Sequence, residues 1–91
     1  MMVSEIKRTC GACPSQWEGR LDDGRFLYVR FRWGSFGFGI GASESAAVEN
    51  CKDPVLLDRG RDGYMSDKDM VLQLAQHEIV VPETAWPRLQ P

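Results

Sequence analysis

Residues 30 to 41 read RFRWGSFGFGIG, large side chains alternating with glycine, serine or arginine. A period of two places Phe36, Phe38 and Ile40 on one side of an extended chain and almost nothing on the other. The same period runs back through Arg25 to Trp33. Leu27, Val29, Phe31 and Trp33 point one way, and Phe26, Tyr28, Arg30 and Arg32 the other. Two such runs joined by Gly34-Ser35 predict a hairpin with a tight glycine-first turn. In that register Trp33 faces Phe36, Phe31 faces Phe38, and Val29 faces Ile40.

A second reversal is predicted at Asp22-Asp23-Gly24. A two-residue loop would send Trp17 to the wrong face. A three-residue loop with Gly24 in the left-handed conformation sets Trp17 opposite Val29, Gly19 opposite Leu27 and Arg20 opposite Phe26. The expected unit is an antiparallel meander over residues 15–43. Its core face carries Trp17, Leu21, Leu27, Val29, Phe31, Trp33, Phe36, Phe38 and Ile40. The opposite face carries Gln16, Glu18, Arg20, Phe26, Tyr28, Arg30 and Arg32 beside Gly37, Gly39 and Gly41. In this register Arg32, Arg30 and Tyr28 stand opposite those three glycines in turn. Interior strand glycines mark a close approach by another backbone or a ligand, or are shielded by neighbouring side chains. The composition of Arg20, Phe26, Tyr28, Arg30, Arg32, Gly37, Gly39 and Gly41 also suits a protein interface or, loosely, a base-stacking platform.

The remainder supplies helices and connections. Ser43 or Ser45 can cap a short helical turn that ends before Pro54, and the stretch from Val55 reads as a fourth strand or an apolar return. Ser66 is an N-cap with Asp69 at the capping-box position, so residues 66–77 are expected to be helical, Met70, Val71 and Leu74 forming the stripe that covers the sheet. Residues 79–91 form a proline-punctuated tail strapped down by Ile79, Val80, Val81 and Trp86. The expected architecture is a single α+β domain: a three- or four-stranded antiparallel meander packed on one face by a C-terminal helix.

Composition bounds the function. Ninety-one residues suffice for one modest core. A net charge of −2 gives no electrostatic signature of a sequence-independent nucleic-acid binder. The charged N-terminal stretch MMVSEIKRTC lacks the apolar run of a signal peptide, and three cysteines cannot all pair in one chain, so a cytoplasmic setting is expected.

Cys10-Gly11-Ala12-Cys13 has C-x-x-C spacing. With Cys51 and His77 it makes a permissible Cys3His zinc set, the basis of an alternative reading as a zinc-stabilised nucleic-acid-binding module. Asp58 to Asp69 has the cadence of a calcium loop. Gly60, however, supplies no side-chain ligand, and Arg59 and Arg61 add opposing charge. One histidine without a neighbouring nucleophile motif gives no catalytic constellation, so no enzyme is expected.

Residues 13 to 41, through Cys13-Pro14-Ser15-Gln16-Trp17-Glu18-Gly19, Asp23-Gly24-Arg25 and Tyr28 to Gly34, resemble a pattern found in short proteins of actinobacteria and their phages. The resemblance brings no activity or site residues with it. It implies a bacterial or phage-infected cell, where small acidic proteins act as inhibitors of host machines, anti-CRISPR proteins among them. The leading expectation is a non-enzymatic protein that binds a protein or nucleoprotein partner through the arginine, aromatic and glycine face. A homodimer through that same surface is a further alternative.

Overall fold

A computed structural model describes residues 1–11, 15–32, 34–56 and 64–87. Among the described residues five strands, β1 (Val3–Cys10), β2 (Ser15–Leu21), β3 (Phe26–Arg32), β4 (Ser35–Gly41) and β5 (Lys52–Leu56), form one sheet in chain order, every neighbour antiparallel. Helix α1 (Glu44–Glu49) lies between β4 and β5, and α2 (Asp67–Ala75) follows β5. The α+β class, the meander and the C-terminal helix match the sequence reading. The sheet gains a first strand, and β5 occupies the place of the fourth strand considered there.

The β2–β3 reversal follows from its turn. Leu21 N–H donates to the Arg25 carbonyl at 2.8 Å and Gly24 N–H to that of Leu21 at 3.0 Å, with Gly24 at φ 91°. Trp17 faces Val29, Gly19 faces Leu27 and Arg20 faces Phe26, the expected register. Within the loop, the Arg25 backbone amide and then its guanidinium hydrogen-bond Asp23 and hold that carboxyl below the usual carboxylate range.

The β3–β4 register differs from expectation by two residues. Arg32 pairs with Ser35, Phe31 with Phe36 and Val29 with Phe38, so Ser35 belongs to β4 rather than to the turn. Gly34, at φ 82°, takes the second loop position, where a left-handed residue is needed. A slip of two preserves faces, so the division into core and outer sides survives. The partners change: Arg30 stands opposite Gly37, Tyr28 opposite Gly39 and Phe26 opposite Gly41.

The core face is closed by α2. Trp17, Leu27, Val29, Phe31 and Phe36 are fully buried in one cluster with Met65, Met70 and Leu74, and Phe38 and Ile40 pack against it half-buried. Full burial of one such side chain stabilises by about 1.5–3 kcal/mol. Trp33, expected in this core, lies outside the described residues. Ser66 caps α2 by accepting from the Asp69 amide at 3.1 Å. Past the helix end Glu78 adopts φ 63°, a left-handed conformation that a side chain makes costly. Glu78→Gly should raise stability by about 0.5–1 kcal/mol, read as a higher denaturant midpoint at unchanged slope.

Strand β1 is bent by a bulge between Val3 and Glu5, which lets Val3 and Ile6, three positions apart, share the core. The beginning of its outer edge is met by the tail. Val80 bridges Met2 in parallel, exchanging Val3 N–H to Val80 O (2.9 Å) and Val80 N–H to Met1 O (2.8 Å). Val81 and Ala85 then join the core, and Trp86 packs against it. This bridge shortens the open edge available to unwanted strand pairing.

At one end of the core face Arg8 is clamped. Its guanidinium lies 4.5 Å from the Trp17 ring centroid and 5.5 Å from that of Tyr64. It donates to Asp67 Oδ1 at 3.0 Å and to the Gly11 carbonyl at 3.0 Å. The same Asp67 oxygen accepts the Trp17 indole N–H at 2.8 Å. First strand, central tryptophan and the start of α2 are thereby tied at one carboxylate.

Candidate functional site: a cleft on the outer face

The outer face divides into a covered and an uncovered half. Helix α1 is seated on β4, capped by Ser43, whose hydroxyl accepts from the Ala46 amide, and tethered by Asn50 Nδ2 to the Ile40 carbonyl at 2.8 Å. A Cβ built on Gly39 would overlap the Ala47 carbonyl oxygen and the Cys51 amide nitrogen and lie 2.7 Å from the Asn50 carbonyl carbon. On Gly41 it would lie 2.6 Å from the Ala46 Cβ and 2.7 Å from the Ala47 amide nitrogen. The glycine strip is bare because the chain's own next helix rests there, backbone on backbone. Gly39 and Gly41 are therefore not part of an open shelf, as the sequence reading had them, nor does arginine cover account for their being glycine. For the same reason these two glycines offer no free surface for a homodimer. Gly37 is buried too.

Beside α1 the sheet is uncovered, and a cleft of about 740 Å³ results. Its floor is the outer face of β1 to β3, with Glu5, Lys7, Glu18, Arg20, Phe26 and Tyr28. One wall is α1, through Glu44, Ala47 and Val48, and the other is the tail from Thr84 to Pro87. Val48 is 48% exposed, an apolar side chain open to this space. The volume lies within the usual range of ligand and peptide sites.

Three of the residues singled out in the sequence line the cleft. Arg20 lays its guanidinium 4.6 Å from the Phe26 ring centroid and donates to the Gly24 carbonyl at 3.1 Å. Tyr28 is only 8% exposed; burial pushes its hydroxyl pKa above the ordinary value, and Arg30, which hydrogen-bonds it, acts in the opposite sense. Arg30 and Arg32 continue the row beyond the cleft, the first half-buried and the second exposed.

The sequence reading missed Glu5, Lys7, Glu44, Val48 and Trp86. The bulge breaks the period of two in β1, which hid Glu5 and Lys7, and nothing local says that α1 and the tail frame the same face. Charges at alternate positions, Glu5 with Lys7 and Glu18 with Arg20, were the available signal.

The zinc set does not assemble. Cys10 ends β1, whereas Cys51 sits against Gly39 of β4, three strand spacings or roughly 14 Å away. His77 lies on the core face, its ring centroid 4.9 Å from that of Phe38, with the sheet between it and Cys51. Cys13 falls outside the described residues, as does the first half of the Asp58–Asp69 stretch. Among the described residues no group of three histidine, cysteine or carboxylate side chains is close enough to hold one metal ion, and no helix is long and apolar enough to cross a membrane.

No family model matches this chain, and neither a curated protein nor a solved structure matches it.

Proposed function

We propose that this chain is a non-catalytic binding protein that receives a segment of a partner in the outer-face cleft between α1 and the tail. One observation carries the reading. The half of the sheet not needed for either helix is walled on two sides, so a floor of aromatic and charged side chains lies recessed rather than flat. Solvation of one face is the ordinary fate of an antiparallel sheet and would need no walls. Arg20, Phe26 and Tyr28 are the interface-favoured residues at this place, with the apolar Val48 beside them. The bacterial or phage cell implied by the resemblance gives the reading a finer form: a small cytoplasmic inhibitor that occupies a protein or nucleoprotein machine of its host.

The test uses bulk rather than charge. Val48→Trp fills the cleft from an exposed helix position, while Leu72→Trp places the same ring on α2, where Leu72 is 54% exposed. A partner captured from host extract by the unaltered protein should be lost with Val48→Trp and kept with Leu72→Trp, both variants melting within about 0.5 kcal/mol of the parent. Retention by Val48→Trp would overturn the assignment.

A further inference from the structure

We infer that Asp23-Gly24 is a latent site of aspartate isomerisation, kept from reacting by Arg25 and coupled to the cleft floor through Arg20, whatever the cleft binds. An aspartate followed by glycine is the pair in which the next backbone nitrogen reaches the side-chain carbon with least hindrance, because no Cβ stands in the way. The Gly24 nitrogen adds to Asp23 Cγ, the amide proton and the carboxyl hydroxyl leave as water, and a cyclic imide closes. Water then opens the ring at either carbonyl. Opening at the former main-chain carbonyl leaves the chain running through the side chain, with an extra carbon in the backbone. Water is the only co-reactant, lost in the first step and regained in the second.

The turn leaves room for this chemistry and opposes it by hydrogen bonding. The Asp23 side chain is 48% exposed, and a Cβ built on Gly24 would meet nothing within 4 Å, so neither water nor the ring is excluded. Both carboxylate oxygens, however, are held by Arg25. Asp23 Oδ1 accepts from the Arg25 amide at 3.0 Å and Oδ2 from its Nε at 2.8 Å. These bonds turn the carboxyl toward Arg25 and favour its ionised form, which has no hydroxyl to lose. The nucleophile is engaged as well, since Gly24 N–H donates to the Leu21 carbonyl at 3.0 Å. The cleft floor depends on the same turn. The Gly24 carbonyl accepts from the Arg20 guanidinium at 3.1 Å, and Arg20 lies 4.6 Å from the centroid of the Phe26 ring. An extra backbone carbon ahead of Gly24 breaks its bond to Leu21, displaces that carbonyl and releases Arg20 from its place in the floor.

The experiment ages the whole folded protein at neutral pH and follows the tryptic peptide that begins at Leu21 by chromatography and by methylation with an isoaspartate methyltransferase. The chain's other Asp-Gly pair, Asp62-Gly63, lies outside the described residues and falls in a different peptide. Isoaspartate should form at Asp23 about tenfold more slowly in the folded protein than in the same chain held in urea. Arg25→Ala, still folded by thermal melt, should form it about threefold faster than the parent. Asp67→Ala, destabilised at the distant Arg8 clamp, should keep the parent's rate. In aged Arg25→Ala protein, new amide NMR signals should appear for residues 20–26 and not for α2. Equal rates in the folded and urea-held chain, an Arg25→Ala rate no higher than the parent's, or equal acceleration by Asp67→Ala overturns the guarding role. Isoaspartate formation that leaves the Arg20 and Phe26 signals unmoved overturns the coupling to the floor.

Discussion

Gly39→Ala should lower the melting temperature by about 10–20 °C, the equivalent of roughly 2–3 kcal/mol in a domain of this size. The added methyl group has nowhere to go. It would overlap the Ala47 carbonyl and the Cys51 amide, both backbone atoms, so relief requires lifting α1 from the sheet. Alanine has no conformational disadvantage here, because Gly39 is not at positive φ. The loss is therefore a packing loss. Gly11→Ala is the matching control: no atom lies within 4 Å of the built Cβ, and stability should stay within about 0.5 kcal/mol. The expected companion effect is functional, since α1 carries Glu44 and Val48 on the cleft wall. A Gly39→Ala protein as stable as the parent would show that α1 does not rest on the glycine strip.

Trp17→Ala should cost about 3–5 kcal/mol by chemical denaturation. The total for a chain of this length is roughly 5–14 kcal/mol, so a measurable unfolded population is expected near 37 °C. Trp17 is completely buried at the centre of the core cluster, and its indole N–H is spent on Asp67. Substitutions at Asp67 separate packing from polar satisfaction. Asp67→Ala strands the indole donor and should cost about 1–3 kcal/mol. Asp67→Asn keeps an acceptor oxygen and loses only the charge toward Arg8. With the Asp67 side chain 52% exposed, that loss should stay below about 1 kcal/mol. The order Trp17→Ala, then Asp67→Ala, then Asp67→Asn is the test. An Asp67→Asn protein as unstable as Asp67→Ala would assign the clamp to charge rather than to the indole hydrogen bond.

Particular residues show where local pattern suffices and where it fails. The β2–β3 register was readable because one turn residue, Gly24, and one face requirement, Trp17 on the core side, pointed to the same loop length. The β3–β4 register was not, because a turn moved by one residue, which shifts the register by two, satisfies the same faces and still uses Gly34. Helix α2 announced itself through Ser66 and Asp69. Strand β1 did not, since a bulge set its buried Val3 and Ile6 three apart, a spacing that belongs to neither a regular strand nor a full helical stripe. At the candidate site Arg20, Phe26 and Tyr28 were found from alternation alone, and the walls were not.

The amino-acid order by itself determined the two-faced ribbon, its antiparallel reversals and the capped helix that closes the core, because each depends on side chains within a few positions of one another. Only the tertiary structure decided what lies on the glycine strip and what frames the rest of that face. Both depend on segments far apart in the chain, the helix after β4 and the tail after α2, reaching one surface. A row of missing side chains shows that something comes close. Which backbone arrives is settled by packing, where the shape of the whole sheet is already in place.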